Sequence, residues 1–289
     1  MSHNKIKMLI LGASGLLGSS LVRYFSARDP YQVSATVRSI STVMRDLTKG
    51  KAELIEGVDV DNLDGLMRIF NQHSPDVVVN CIGVVKQSVE ANDPLIAIRV
   101  NSILPHLLAR LSSARGSRLI HISTDCVFSG QKGCYLESDL PDASDLYGRT
   151  KLLGEVDYPQ AVTLRTSLIG HELNGTRSLV SWFLAQKGEV KGYTRAIFSG
   201  LPTVELAEII EKFVLPHPEL HGVYHLSVDP ISKYDLLSIV RDIYEKQIVI
   251  IPDASVVIDR SLDSARFRQA TGFIPKPWTE LIQAMRHFA

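Results

Sequence analysis

Tyr147 and Lys151 stand four residues apart in Tyr147-Gly148-Arg149-Thr150-Lys151. On a helix that spacing puts both side chains on one face. A free phenol has a pKa of about 10, too high for acid–base work at neutral pH. A neighbouring ammonium stabilises phenolate and lowers that value, so such a pair can pass a proton to or from a carbonyl or an alcohol. Y-x-x-x-K alone is common by chance, and its default reading is a pair on a surface helix. Ile122-Ser123-Thr124-Asp125 changes the estimate, because it ends an apolar run that reads as a strand. Open α/β sheets bind ligands at the carboxyl ends of their strands. Thr124 is placed there to donate a hydrogen bond to the same substrate oxygen.

A second group of residues precedes these. Gly12-Ala13-Ser14-Gly15-Leu16-Leu17-Gly18 is a G-x-x-G-x-x-G loop between an apolar run, Ile6 to Leu11, and a helical pattern, Leu16 to Ala27. Glycines permit a tight turn and close backbone approach, and a helix N-terminus directs partial positive charge at a pyrophosphate. In this place the loop reads as a dinucleotide cradle rather than as turn glycines. NAD-binding chains usually carry an acid after the second strand, on the ribose 2′-hydroxyl. This chain has Thr36-Val37-Arg38-Ser39 instead. Arg38 suits a 2′-phosphate, which favours NADPH and leaves NADH as the second choice. Asp59-Val60 follows the third strand and borders the expected adenine position. Asn80-Cys81-Ile82-Gly83 ends the fourth and faces the dinucleotide.

The elements that must carry these residues alternate. Strand signals lie at Ile6 to Leu11, Tyr31 to Val37, Glu53 to Ile55, Asp76 to Cys81, Arg118 to Ser123 and Ala161 to Thr166. Helical patterns lie at Leu16 to Ala27, Asp61 to Gln72, Pro94 to Ala114 and Asp145 to Val156. Such β–α alternation implies a doubly wound parallel sheet. After about Gly170 helices dominate: Ser178 to Gln186, Val204 to Leu215, Lys233 to Tyr244 and Pro277 to His287. Short strands are expected at Gly222 to Val228 and Ile248 to Ile251. This part reads as a smaller mixed α/β lobe, with the division near residue 170 and the chain free to cross between lobes.

Composition narrows the classes. The 289 residues carry 31 Lys plus Arg and 31 Asp plus Glu, a formal net charge of zero, which argues against a nucleic-acid or anionic-membrane coat. Cys81, Cys126 and Cys134 are too few and too irregular for a disulfide framework, and no C-x-x-C pair suggests zinc. The apolar run at Met8 to Leu11 is too short for a signal sequence and meets the glycine loop at once. No stretch is long enough to span a bilayer. A cytoplasmic protein is expected. His217-Pro218-Glu219-Leu220-His221 lacks the helical spacing of a metal pair and reads as a polar loop, so no metal site is expected.

These residues together resemble the extended short-chain dehydrogenase/reductases, and within them the dTDP-4-dehydrorhamnose reductases. The resemblance covers most of the chain. Besides the glycine loop and the Tyr/Lys pair it rests on Val79-Asn80-Cys81, Asn101, Ser123 through Gly130, Tyr135-x-Glu137, Gly154-Glu155, Leu164-Arg165-Thr166-Ser167 and Gly200-x-Pro202-Thr203. It implies a Rossmann-type NADP-binding domain over 1–170 and a substrate-binding lobe over 171–289. The implied activity is reduction of the C4 ketone of a nucleotide-diphospho-4-keto-6-deoxy sugar, in the synthesis of cell-surface polysaccharide sugars. Tyr147 would protonate the C4 oxygen, Lys151 would hold the nicotinamide ribose and tune Tyr147, and Thr124 would orient the carbonyl. Thr124, Asp125, Cys126, His171 and Pro202 would line the sugar. The implied partner is the nucleotide sugar, and a homodimer is left open.

The chain departs from that pattern in two places. Cys126 stands where those reductases usually have Tyr, and Ile197-Phe198 where they usually have Asp-Gln. Both changes fall in expected sugar-binding territory and open the identity of the sugar. Sugar dehydratases of the superfamily usually carry a Glu at the position of Cys126, so dehydration is disfavoured. GDP-fucose synthases carry a Cys two residues after their catalytic Ser and a His beyond the sixth strand, which Cys126 and His171 match in position. That raises an epimerase-reductase, against a small buried Cys and a loop His; a nucleotide-sugar epimerase that recycles a bound cofactor is the second reading, disfavoured by the missing acid after the second strand because such epimerases generally use NAD. A non-catalytic NADP-binding subunit is the third reading, since the regulatory subunit of methionine adenosyltransferase resembles these reductases.

Overall fold

The computed structural model describes residues 5–59, 62–84 and 92–289. The first strands lie close to the expected ones: β1 (Ile6–Leu11), β2 (Tyr31–Val37), β3 (Ala52–Glu56), β4 (Val77–Asn80), β5 (Arg118–Thr124) and β6 (Ala161–Thr166). Their crossover helices are α1 (Leu16–Ser26), α2 (Thr42–Thr48), α3 (Leu63–His73), α4 (Pro94–Ala97), α5 (Leu104–Arg115) and α6 (Leu146–Leu153). The rest comprises β7 (Leu168–Ile169), α7 (Leu179–Ala185), β8 (Glu189–Tyr193), β9 (Ala196–Phe198), β10 (Leu201–Pro202), α8 (Thr203–Ile209), β11 (Gly222–His225), β12 (Ile231–Ser232), α9 (Lys233–Ile243), β13 (Val249–Asp253), β14 (Ile258–Asp259), α10 (Ala265–Thr271) and α11 (Trp278–His287).

Among the described residues, seven strands form one sheet in the order β11-β6-β5-β4-β1-β2-β3. β1 pairs in parallel with both β2 and β4, β2 with β3, and β4 with β5. Strand order therefore reverses at β1, and the carboxyl ends of β1 and β4 flank the switch point where doubly wound sheets bind ligands. The register sets Leu11 beside Asn80, and Asn80 beside His121. Smaller sheets are β10-β7, β12-β9-β14 and β13-β8.

Two compact units emerge. The first comprises residues 1–123, 145–164 and 217–223, and the second 124–144, 165–216 and 224–289. In the first, Leu9, Leu11, Leu66, Phe70, Val78, Leu104, Leu108 and Leu119 bury one sheet face against α3 and α5. In the second, Phe183, Leu236, Val240, Leu281, Ile282 and Met285 join α7, α9 and α11. Full burial of such a side chain contributes about 1.5–3 kcal/mol.

The helix expected over Pro94 to Ala114 is not uniform. Between α4 and α5 residues Ile98–Ile103 form a π-helical turn. The wider turn inserts one residue per cycle, a change that apolar periodicity does not display. A second π turn, Ile210–Val214, continues α8. No helix among the described residues is long and apolar enough to cross a membrane.

Candidate active site

Three glycines at the β1–α1 junction, Gly12 in the loop, Gly15 at the cap and Gly18 inside α1, answer to three different demands. Gly12 has φ +82°, and a Cβ there would lie 2.9 Å from Ile82 Cγ1 and 3.2 Å from the Cys81 carbonyl carbon. The loops after β1 and β4 thus touch at Gly12. A Cβ on Gly18 would lie 2.2 Å from the Gly12 carbonyl oxygen, so Gly18 lets α1 pack against the loop that precedes it. Gly15 is different: its nearest neighbour would be 3.4 Å away, and its backbone is extended with φ −77°. Nothing inside the protein requires a glycine at position 15. It is exposed, it caps α1, and no side chain caps that helix end. Open space over a bare helix N-terminus fits a pyrophosphate. The loop is held from β2, where Thr36 Oγ1 accepts from Gly12 N at 3.1 Å and the Thr36 carbonyl accepts from Ala13 N at 2.9 Å.

Of the other expected dinucleotide residues, Ser14, Arg38, Ser39 and Asp59 are exposed, and Leu17 is buried in the first turn of α1. Arg38 and Ser39 directly follow the end of β2. Val60 lies outside the described residues. Asn80 is fully buried. Its Oδ1 accepts from Ile82 N at 3.1 Å, so its Nδ2 faces His121 Nδ1, 3.1 Å away, as donor. That leaves the His121 proton on Nε2, an atom buried with no hydrogen-bond partner among the described residues. Burial first, then Lys151 and His106, holds His121 neutral, well below the ordinary imidazole range.

Tyr147 and Lys151 occur on α6 as the spacing predicts. Asp145 caps the helix by accepting from Gly148 N at 2.9 Å. Tyr147 is half-buried and Lys151 is 5% exposed. Lys151 Nζ donates to the Ile122 carbonyl of β5 at 2.8 Å. Burial lowers the Lys151 pKa to about 8, opposed by Glu155 and then Cys81. Burial pushes the Cys81 thiol up, which keeps it protonated.

Asn101, in the π turn, ties this helix to the β4 loop. It accepts from Val84 N at 2.9 Å and donates to the Val84 carbonyl at 3.3 Å and to Thr150 Oγ1 at 3.2 Å. Ser102 Oγ adds a bond to the Thr150 carbonyl at 2.8 Å. A Cβ on Gly154 would overlap the Asn101 carbonyl oxygen, so only glycine lets α6 end against the π turn. In the sequence Asn101, Ser123 and Glu155 stand out only as parts of motifs. Their bonds span 17 to 49 residues of chain and leave no periodic signal.

Thr124 closes β5 and begins the second unit. Its hydroxyl accepts from Cys126 N at 3.1 Å and donates to Asp125 Oδ1 at 3.2 Å. Burial raises the Asp125 carboxyl, against the pull of Arg260. In the same unit Leu201 N donates to the Ser167 carbonyl at 2.9 Å, and Gly200 leaves room for that carbonyl. Pro202 is buried at the start of α8. His171 Nε2 is engaged by the Tyr244 hydroxyl at 2.7 Å. Gly12, Cys81, Ile82, Tyr147 and Lys151 belong to the first unit, and Thr124, Asp125, Cys126, His171 and Pro202 to the second.

A sheet reversing at β1, a glycine loop at the switch point and a Tyr/buried-Lys helix beside β5 define a Rossmann-like, extended short-chain dehydrogenase/reductase. The chain belongs to the family described as the RmlD substrate binding domain, whose model matches residues 6–287. It is 25% identical over 308 residues to a dTDP-4-dehydrorhamnose reductase of Aggregatibacter actinomycetemcomitans, covering 98% of this chain and 99% of that one. It is 32% identical over 149 residues to methionine adenosyltransferase 2 subunit beta of Bos taurus, covering 52% of this chain and 41% of the relative. The fold matches that of a dTDP-4-dehydrorhamnose reductase from Bacillus anthracis solved in complex with NADP. The TM-score is 0.77 at 20% identity, with 99% of this chain and 100% of that one covered.

Proposed function

We propose that this protein reduces the C4 ketone of a nucleotide-diphospho-4-keto-6-deoxy sugar with NADPH, supplying a sugar for cell-surface polysaccharide. The observation that carries this is Lys151, a buried lysine on the face of α6 that bears Tyr147, with its amine bonded to β5. Family membership and the full-length likeness to a dTDP-4-dehydrorhamnose reductase support the substrate class. The NADP complex of the Bacillus anthracis enzyme supports the cofactor.

The first unit would hold the dinucleotide through Gly12 to Gly18, Arg38, Ser39, Asp59 and Asn80 to Gly83. When bound, the dinucleotide supplies the hydride that reaches C4. Tyr147 donates its phenolic proton to the C4 oxygen, so that ketone becomes alcohol. Lys151 carries the charge that stabilises phenolate, and it binds the nicotinamide ribose. Thr124 orients the carbonyl. Asp125, Cys126, His171 and Pro202 line the sugar, and the second unit is the substrate lobe. Negative charge builds on oxygen in the transition state, where a positioned acid counts most.

The test is steady-state NADPH oxidation against dTDP-, UDP- and GDP-4-keto-6-deoxy sugars. Tyr147→Phe keeps the ring and removes the proton. Turnover should fall by roughly two to four orders of magnitude with NADPH binding little changed. Near-normal turnover in that variant would remove the basis for this mechanism. A second reading, a non-catalytic dinucleotide-binding subunit, is favoured by the 32% identity to the methionine adenosyltransferase subunit over half of the chain. It predicts NADPH binding without oxidation across the whole panel.

A further inference from the structure

Lys151 has an electrostatic difficulty that Tyr147 does not solve. A lysine 5% exposed is costly to keep charged, and an uncompensated buried ammonium tends to lose its proton. Its carbonyl partner, Ile122 O, orients the amine but supplies no charge. The titratable groups coupled to its charge are Cys81 after β4, His121 on β5 and Glu155 just past the C-cap of α6, with Tyr147 four residues before it on the helix. Cys81 stays a thiol and His121 stays neutral, both because of burial. Of the groups acting on the amine, Glu155 therefore carries the compensating charge.

Glu155 is also held in place. Ser123 Oγ, itself on a residue 4% exposed, donates to Glu155 Oε1 at 2.7 Å. Two side chains four residues apart, one in the last turn of α6 and one just past its C-cap, are thus tied to successive residues of β5, Lys151 to Ile122 and Glu155 to Ser123. We propose that Glu155, anchored by Ser123, is a positioning residue that keeps Lys151 an ammonium, and so keeps the Tyr147 proton relay working at neutral and mildly alkaline pH. This inference rests on the reductase reading given above for the role of Lys151, but its test reads the lysine itself.

Glu155→Gln is the informative variant. The amide oxygen can still accept from Ser123, so the pin to β5 survives while the charge is lost. Protein labelled with carbon-13 at lysine Cε is titrated from neutral to alkaline pH, and Lys151 is assigned by the resonance lost in Lys151→Arg. The midpoint of Lys151 in Glu155→Gln should lie about one pH unit below that of the unmodified protein. The basic limb of the ketone-reduction profile should move by the same amount. Ser123→Ala leaves the charge and removes the anchor, and should give a smaller shift in the same direction. A folded Glu155→Gln variant with an unchanged midpoint overturns the inference. Should that variant not fold, Ser123→Ala carries the test, and an unchanged midpoint there overturns it equally. Absence of ketone reduction by the unmodified protein would count against the reductase reading alone, because the lysine titration needs no substrate.

Discussion

Gly18 and Gly15 differ by three residues, and the structure assigns them opposite sensitivities. An alanine Cβ at 18 would sit 2.2 Å from the Gly12 carbonyl oxygen and 2.8 Å from Ala13 Cα. Both are backbone atoms of the loop and cannot rotate away, so α1 or the loop must shift. Overpacking of this kind costs about 1–3 kcal/mol. In domains of this size each kcal/mol lowers the melting temperature by about 2–4 °C. An alanine Cβ at 15 meets nothing closer than 3.4 Å on an ordinary extended backbone. Stability there should change by no more than about 0.5 kcal/mol. That Cβ does, however, enter the space over the α1 N-terminus, and NADPH affinity should fall about tenfold, equal to about 1.4 kcal/mol. Thermal melting without nucleotide, beside NADPH titration by fluorescence, separates the two variants. A Gly18→Ala protein that melts like the unmodified one, or a Gly15→Ala protein with undiminished NADPH affinity, would refute the division of labour.

Arg38→Ala should weaken NADPH binding much more than NADH binding, because a 2′-phosphate loses a charge-assisted hydrogen bond; tighter NADH than NADPH binding in the unmodified protein would sink the preference. Deuterium uptake into the sugar in deuterated water without NADPH should stay at background, since the Tyr244 hydroxyl occupies His171 Nε2 and burial lowers the imidazole pKa; enzyme-dependent uptake would restore the epimerase-reductase. His225 is fully buried, and burial and Arg165 lower its pKa from 6.5 to about 4. The unfolded chain therefore takes up a proton that the folded one refuses, and stability is lost as pH falls from about 6.5 towards about 4. His225→Gln should remove about 3 kcal/mol of that loss, read as the difference between urea unfolding of variant and unmodified protein at both ends of the window; equal pH slopes would refute it.

The parts of the molecule legible in the sequence are those where a local pattern is also the global demand. β1, β2 and β6 are largely buried strands whose β-branched and apolar residues, Met8 to Leu11, Val33 with Val37, and Val162 with Leu164, mark their limits within a residue. Tyr147 and Lys151 were readable because helical spacing alone places them together. α2 has no such pattern, being seven residues with only Met44 and Thr48 buried. β8, β9 and β14 lack one because short strands paired across tens of residues carry little periodicity of their own. The π turn at Asn101 was invisible for a different reason. It depends on a fit to Gly154 and Thr150, about fifty residues away, and not on the residues of the turn.

The interleaving of the two units bears on how the chain is made. β11 borders β6 in the large sheet, yet residues 167–221 are synthesised between them. A chain emerging from the ribosome presents β6 with no outer neighbour until residues 217–225 follow. An uncovered edge strand is a template for pairing with other chains. Long-range closure of this kind is slow, and partly made domains of this type are the ones prone to association. A fragment ended at residue 170 would keep the glycine loop, Tyr147 and Lys151 but make that open edge permanent. The first unit is therefore a product of late synthesis, although nearly all of its residues come early.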